Sequence, residues 1–559
     1  MSAQLATGGG RTWALLLALL LAWLVGYPLV LTATEALHPE GDWSLAPLGA
    51  FATAADEWSA LGHSLLVATL SVLLAALIGV PLALIFARTD FPGRRTLGAL
   101  IALPVALPPL VGVIAFLFLY GESGFIPRLL MSTLGLEQAP WRLDGLGAIL
   151  LVHTYSMYVY FYLFARAALA RLDGATLEAA ASLGASRLRS FWRVTMPQLY
   201  PALLGAALLT FMTALGSFSA PYIFGGGYRV MTTQIVASKL SGELARANLE
   251  SVVLAGLALL ALLMVHRLQA RMPEATSAHG MAPRPRRVAR TGLRLAFTVT
   301  GWLLALLLLL PHLTLMLISL VPAGTWTTEW LPPQLDAGNY QRLFGQPERL
   351  RPMLNSLWMA ALATTGAVVL GLAAARRSRA VRGRLGAMLE ALIALPWAIP
   401  GTVFAIALAA TFSADQPWFG RFVWVGTPII LPLAYLVRAL PITGRAALAG
   451  LRQLDPALEE AAWSLGAGPL RSFLRVVMPL LRPALAAAVG LALITALGDF
   501  VVSVVLYTYE TRPISIEILS ALREPAFGVA SAYGVILMLL SAVAFLVWGR
   551  GEAASGAGG

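Results

Sequence analysis

The chain has no cysteine, a single lysine, and only 12% charged residues over its 559 positions. Without cysteine there is no disulfide, no thiolate nucleophile and no Cys-ligated metal. Lys239 stands in Ser-Lys-Leu-Ser, outside the Gly-x-x-x-x-Gly-Lys-Ser/Thr frame of a P-loop, so the chain is not a conventional ATPase. Histidines such as His63, His153, His266 and His312 are scattered and show no metal-ligand spacing. No catalytic residue and no metal site is expected. The scarcity of charge has a counterpart, 58% hydrophobic residues, above the ~45–50% usual for soluble domains.

Apolar runs of the ~20 residues needed to cross a bilayer fall near 12–33, 64–87, 98–120, 147–165, 201–221, 251–266, 296–321, 355–375, 385–411, 425–441, 484–507 and 528–548. The first follows Arg11 but exceeds the ~7–15 apolar residues of a signal peptide, so it is read as a retained helix. The expected fold is therefore an all-α polytopic membrane protein of about twelve helices, six per half. Lys and Arg are retained on the cytoplasmic side. The segment 32–61 holds Glu35, Glu40, Asp42, Asp56 and Glu57 with no basic residue, whereas Arg376, Arg377, Arg379, Arg382 and Arg384 crowd one short loop. Both termini then lie in the cytoplasm. The net charge of +12 is explained by arginines beside spans and anionic headgroups, and leaves no basic soluble domain for nucleic acid.

The chain repeats itself. From Glu178 to Leu203, 19 of 26 positions match those from Glu460 to Leu485, 282 residues later, although the flanking apolar segments are far less alike. Thr213-Ala-Leu-Gly216 with Phe218 returns as Thr495-Ala-Leu-Gly498 with Phe500. Arg166 to Ala170 returns as Arg445 to Ala449, and Leu103-Pro-x-x-x-Pro108 as Leu395-Pro-x-x-x-Pro400. The expected division is a first repeat at 1–266, a Pro/Arg-rich linker at 267–295 and a second repeat at 296–559. With an even number of spans in each, the repeats are parallel, related by an axis along the membrane normal.

Within the repeated loops, near 173–197 and 455–479, Asp455-Pro456 is a helix start: the carboxylate takes an orphan N–H, and Pro at the first position loses no hydrogen bond. Asp173 is its counterpart. Gly184 and Gly466 suit the left-handed residue that stops a helix. The alanines leave a narrow surface, and Leu183 and Leu465 supply an apolar contact. A second short helix, from Ser186 or Gly468-Pro469, is expected to carry Phe191 and Arg193, or Phe473 and Arg475, before Pro197, Pro201, Pro479 and Pro483 redirect the chain.

The pattern Glu-Ala-Ala, three residues, Gly, nine residues, an aliphatic residue, one more, then an apolar residue and Pro resembles the EAA loop of bacterial ABC importer permeases, and occurs here twice. The resemblance implies a fused, double-length permease of the type I fold in the bacterial inner membrane. It implies two copies of a cytoplasmic ABC ATPase, which alone holds ATP and Mg, and an extracytoplasmic solute-binding protein. It implies coupling to the ATPase through Glu178, Ala179, Ala180 and Gly184, and through Glu460, Ala461, Ala462 and Gly466. The Leu-Pro-x-x-x-Pro segments, with Val505-Leu-Tyr507 and Arg512-Pro-Ile-Ser515, look most like the ferric-iron group; thiamine and 2-aminoethylphosphonate permeases share the architecture. An ion-driven secondary transporter also uses a six-plus-six repeat but has no use for duplicated loops of this kind.

Asp499 is expected inside the eleventh span, where a carboxylate demands a cavity, a partner or a helix break. Its counterpart is Ser217, and both are candidate pathway residues, with a packing role as the alternative. Glu390 is expected to snorkel or to pair with Arg382 or Arg384. Pro104, Pro108, Pro109, Pro396 and Pro400 are expected to kink or break helices. Tyr155, Tyr158, Tyr160 and Tyr162 are expected to form a packing surface rather than a ligand set.

Overall fold

The computed structural model describes residues 8–38, 42–271, 285–326, 329–381, 383–413 and 423–548. Residues 272–284 of the linker and Arg382 lie outside them. Apolar runs become helices because in hydrocarbon every backbone polar group must be satisfied within its own segment. Among the described residues ten helices are long and apolar enough to span, and an eleventh is the pair Arg384–Ala398 and Gly401–Ser413, bent by 110°. Ile430–Gln453, with 24 residues, is a twelfth long helix that carries Arg438, Arg445 and Arg452.

The duplication extends to element lengths. Ala55–Arg88 and Pro347–Ala380 have 34 residues each. Met196–Leu215 and Met478–Leu497 have 20, and Ser219–Phe224 and Val501–Leu506 have six. Met231–Leu240 and Ile514–Arg523 have ten; these short helices, and Phe125–Leu134, carry no span-length signal in the sequence. A two-residue parallel pairing joins Thr89–Asp90 to Arg286–Arg287.

Lipid tails are as apolar as leucine, so association relies on close packing through small residues. Ala60, Ala68, Ala75, Gly79 and Ala83 are buried along Ala55–Arg88, and a Cβ on Gly79 would come within 2.4 Å of Tyr158 O. In the second half, a Cβ on Gly371 would lie 2.8 Å from Gly444 N. The tyrosines of Gly145–Leu169 join this packing. Tyr158 donates to Ile101 O and Tyr162 to Gly98 O, while Tyr155 crosses to Leu308 O of the other half at 2.7 Å.

Each half's opening helix embraces the other half. Trp23 meets Phe412 and Trp424 edge-on at 5.7 and 5.9 Å. Thr291–Ser319 packs against Pro109–Tyr120, with Phe297 stacked on Phe91 at 6.0 Å.

Three expectations are corrected. The prolines after the repeated loops do not redirect the chain: Arg187–Leu215 and Pro469–Leu497 each run on as one 29-residue helix. Five-residue π-helical turns, Phe191–Thr195 and Phe473–Val477, absorb the missing proline donor. Asp499 lies not within a continuous span but in the break between Met478–Leu497 and Val501–Leu506. Glu390 pairs with Arg452 at 2.9 Å rather than with Arg384.

Candidate functional site

The two repeated loops fold alike because their signals are local. Gly174–Ser182 and Pro456–Ser464 are nine-residue helices, capped by Asp173 and Asp455, which accept from Ala175 N and Ala457 N at 2.9 Å. Gly184 and Gly466 adopt φ +76° and +81°. Ala185 N then reaches Ala180 O, and Ala467 N reaches Ala462 O, both at 3.0 Å, the Schellman closure. No residue of either helix is buried. Glu178, Ala179, Glu460 and Ala461 are exposed, and Ala180 and Ala462 are half-buried. Leu183 and Leu465 stand 88% and 89% exposed among the described residues.

Behind each helix, an arginine from the end of a 34-residue helix lies over the loop's phenylalanine. Arg88 sits 5.6 Å from the Phe191 ring and Arg376 sits 4.2 Å from Phe473. Arg88 also donates to Thr195 Oγ1 at 3.0 Å, and Arg376 lies 3.8 Å from Glu459. Each loop is thereby in contact with a long helix and, through the π-helical turn, continuous with the helix ending at the break.

Those two helices run 20 residues, about 30 Å, from Met196 and Met478 to breaks at Gly216–Phe218 and Gly498–Phe500. Here the halves meet. A Cβ on Gly216 would touch Pro400 Cβ at 3.4 Å, and one on Gly498 would press on Pro108 Cβ at 2.8 Å. The equivalent rings of Phe218 and Phe500, both buried, face each other at 5.5 Å. On the far side of this seam Lys239, its pKa drawn down to about 8 by burial, donates to Val505 O of the other half at 2.9 Å. In return Arg523 donates to the Tyr222 hydroxyl.

The candidates at the breaks differ. Ser217 Oγ bonds His153 Nε2 at 2.9 Å, and His153 Nδ1 bonds Ser71 Oγ at 2.9 Å. Asp499 accepts from Val502 N through Oδ1 at 2.9 Å, capping the next helix, and its Oδ2 lies 2.9 Å from Arg438 Nε. The sequence reading did not single out Arg438. Its signal was visible as a lone cation near the end of the apolar run at 425–441.

Comparison with known proteins agrees with this architecture. The family described as binding-protein-dependent transport system inner membrane component matches residues 79–272 and again 367–549. A probable ABC transporter permease of Sinorhizobium fredii is 30% identical over 88% of this chain and 87% of its own length. A ferric transport system permease of Actinobacillus pleuropneumoniae is 28% identical over 80% of this chain, which spans 65% of that protein. A probable molybdenum ABC transporter permease of Haloferax volcanii is 36% identical over 38% of this chain and 75% of its own. The chain belongs to the family of inner membrane components of binding-protein-dependent transport systems, with the family's domain present twice in one multi-pass polypeptide.

Proposed function

We propose that this chain carries both permease halves of an ATP-driven importer, lying in the inner membrane with both termini in the cytoplasm. Two copies of a separate ATPase dock on it, one at each loop helix, and an extracytoplasmic binding protein delivers the solute. The observation that carries this is the pair of matched, capped helices that leave Leu183 and Leu465 exposed among the described residues. ATP and Mg belong to the ATPase. Closure of its two copies would draw the loops together and open the path outward, and hydrolysis would reset it.

The relatives that transport iron cover most of this chain, which favours ferric iron as the solute. The molybdenum relatives, over a shorter stretch, support an oxyanion as the second reading. Tagged protein purified from its native membrane is expected to bring down two ATP-binding subunits per chain. Gly184→Val together with Gly466→Val is expected to lose them, since a β-branched residue is strained at positive φ. A preparation that transports with no nucleotide-binding partner removes the proposal. Calorimetric titration of the binding protein with ferric ion and with molybdate separates the two solutes.

A further inference from the structure

A guanidinium inside a spanning bundle is costly, and its unmatched donors ask for an acceptor. Arg438 is only partly matched. Its Nε lies 2.9 Å from Asp499 Oδ2 as an ion pair without hydrogen-bond geometry, the other Asp499 oxygen accepts from Val502 N, and no hydrogen bond from Nη1 or Nη2 occurs among the described residues. The side chain is 27% exposed against 4% for Asp499, so the arginine stays partly accessible while its tether is buried.

The place is built for it. A Cβ on Gly401 would fall 1.7 Å from Arg438 Nη1, so the guanidinium fills the space this glycine leaves beside the Pro400 break. The helix Gly401–Ser413 starts there, its positive end adding to the local potential. Thr402, on its first turn, is fully buried with its hydroxyl unpartnered. In the first half the aligned positions are Val159, Pro109 and Ser217, so three differences together set one cation on one side of the seam.

We propose that the Arg438 guanidinium, seated against Gly401 and tethered by Asp499 where the two halves meet, is the anion-binding group of the translocation path. The transported species then passes it as an oxyanion or as a metal ion within an anionic complex. This rests on the importer reading for its place in transport, while anion binding itself can be measured without it.

The full-length chain in detergent is melted with molybdate, with ferric citrate and with chloride as the control. Arg438→Gln alone strands Asp499, so the decisive variant is Arg438→Gln with Asp499→Asn, which removes both charges. Molybdate or ferric citrate is expected to raise the melting temperature of the wild type and to leave the double variant unmoved. Stabilisation by molybdate alone assigns a free oxyanion, and by ferric citrate alone an anionic chelate. In vesicles with ATPase and binding protein, the double variant is expected to keep binding-protein-stimulated ATP hydrolysis while uptake falls about tenfold or more, with Arg438→Lys between the two. No stabilisation of the wild type by either anion, or equal stabilisation of the double variant, overturns the inference. Anion binding by a chain that recruits no ATPase would instead retain it and remove the importer reading.

Discussion

The two loops and the two breaks are products of one duplication, and they have fared differently. The loops keep the same cap, the same left-handed glycine and an equally exposed leucine. The breaks keep their backbone and their phenylalanines, but one holds a hydrogen-bonded Ser–His–Ser chain and the other an Asp–Arg ion pair. Surfaces that meet two copies of one partner are held to one shape. On the proposed function, surfaces that line a single path face one solute together and are free to diverge, which would assign the symmetric part of the molecule to energy input and the asymmetric part to selectivity.

The sharpest test of this comparison comes from removing the central side chain at each helix break. Arg438→Met leaves a buried carboxylate without its counter-charge and is expected to cost about 3–5 kcal/mol. His153→Met leaves two hydroxyls short of a partner and is expected to cost about 1–3 kcal/mol. Denaturation in detergent reads both, and equal losses would end the distinction between the breaks.

Next in size is the space beside the guanidinium. Gly401→Ala forces Nη1 aside and is expected to cost about 1–3 kcal/mol, whereas Pro109→Ala, at the aligned position, acts through the unfolded chain and is expected to cost about 0.4–1 kcal/mol. The same melts decide it, and a tolerated Gly401→Ala would show the arginine to be loosely held.

The seam itself is uneven. Gly498→Ala, pressing on Pro108 at 2.8 Å, is expected to cost about 1–2 kcal/mol, and Gly216→Ala, meeting Pro400 at 3.4 Å, less than about 1 kcal/mol.

The smallest stability effect belongs to the loops. Leu183→Ser and Leu465→Ser are expected to shift the melt by no more than about 0.5 kcal/mol, yet to weaken ATPase binding equally, as measured by co-purification. Unequal weakening would show that the loops, for all their likeness, are read differently.

How much of this was legible follows from the range of the interactions. Asp173, Asp455, Gly184 and Gly466 act within a few residues of their own backbone, so their place and conformation could be read from spacing. The paired prolines marked the breaks at Pro108 and Pro400 for the same reason, although nothing local gave the 110° bend. Reading a single span through 484–507 hid the position of Asp499, because an apolar stretch looks alike whether or not its helix is interrupted. The two π-helical turns were equally invisible, being a compromise between a proline's missing donor and a long helix's demand for continuity.

The sequence by itself determined that the chain is a duplicated, membrane-spanning bundle with two matched loops, because hydrophobic run length, helix caps and internal repetition are all properties of neighbouring residues. Only the tertiary structure decided that each opening helix packs on the opposite half, that Phe218 meets Phe500, and that Arg438 finds both Asp499 and the space left by Gly401. Those contacts join residues far apart in the chain. They are fixed by small-residue packing and by the cost of an unpaired charge in a low-dielectric interior, and no local pattern encodes which distant partner will meet that cost.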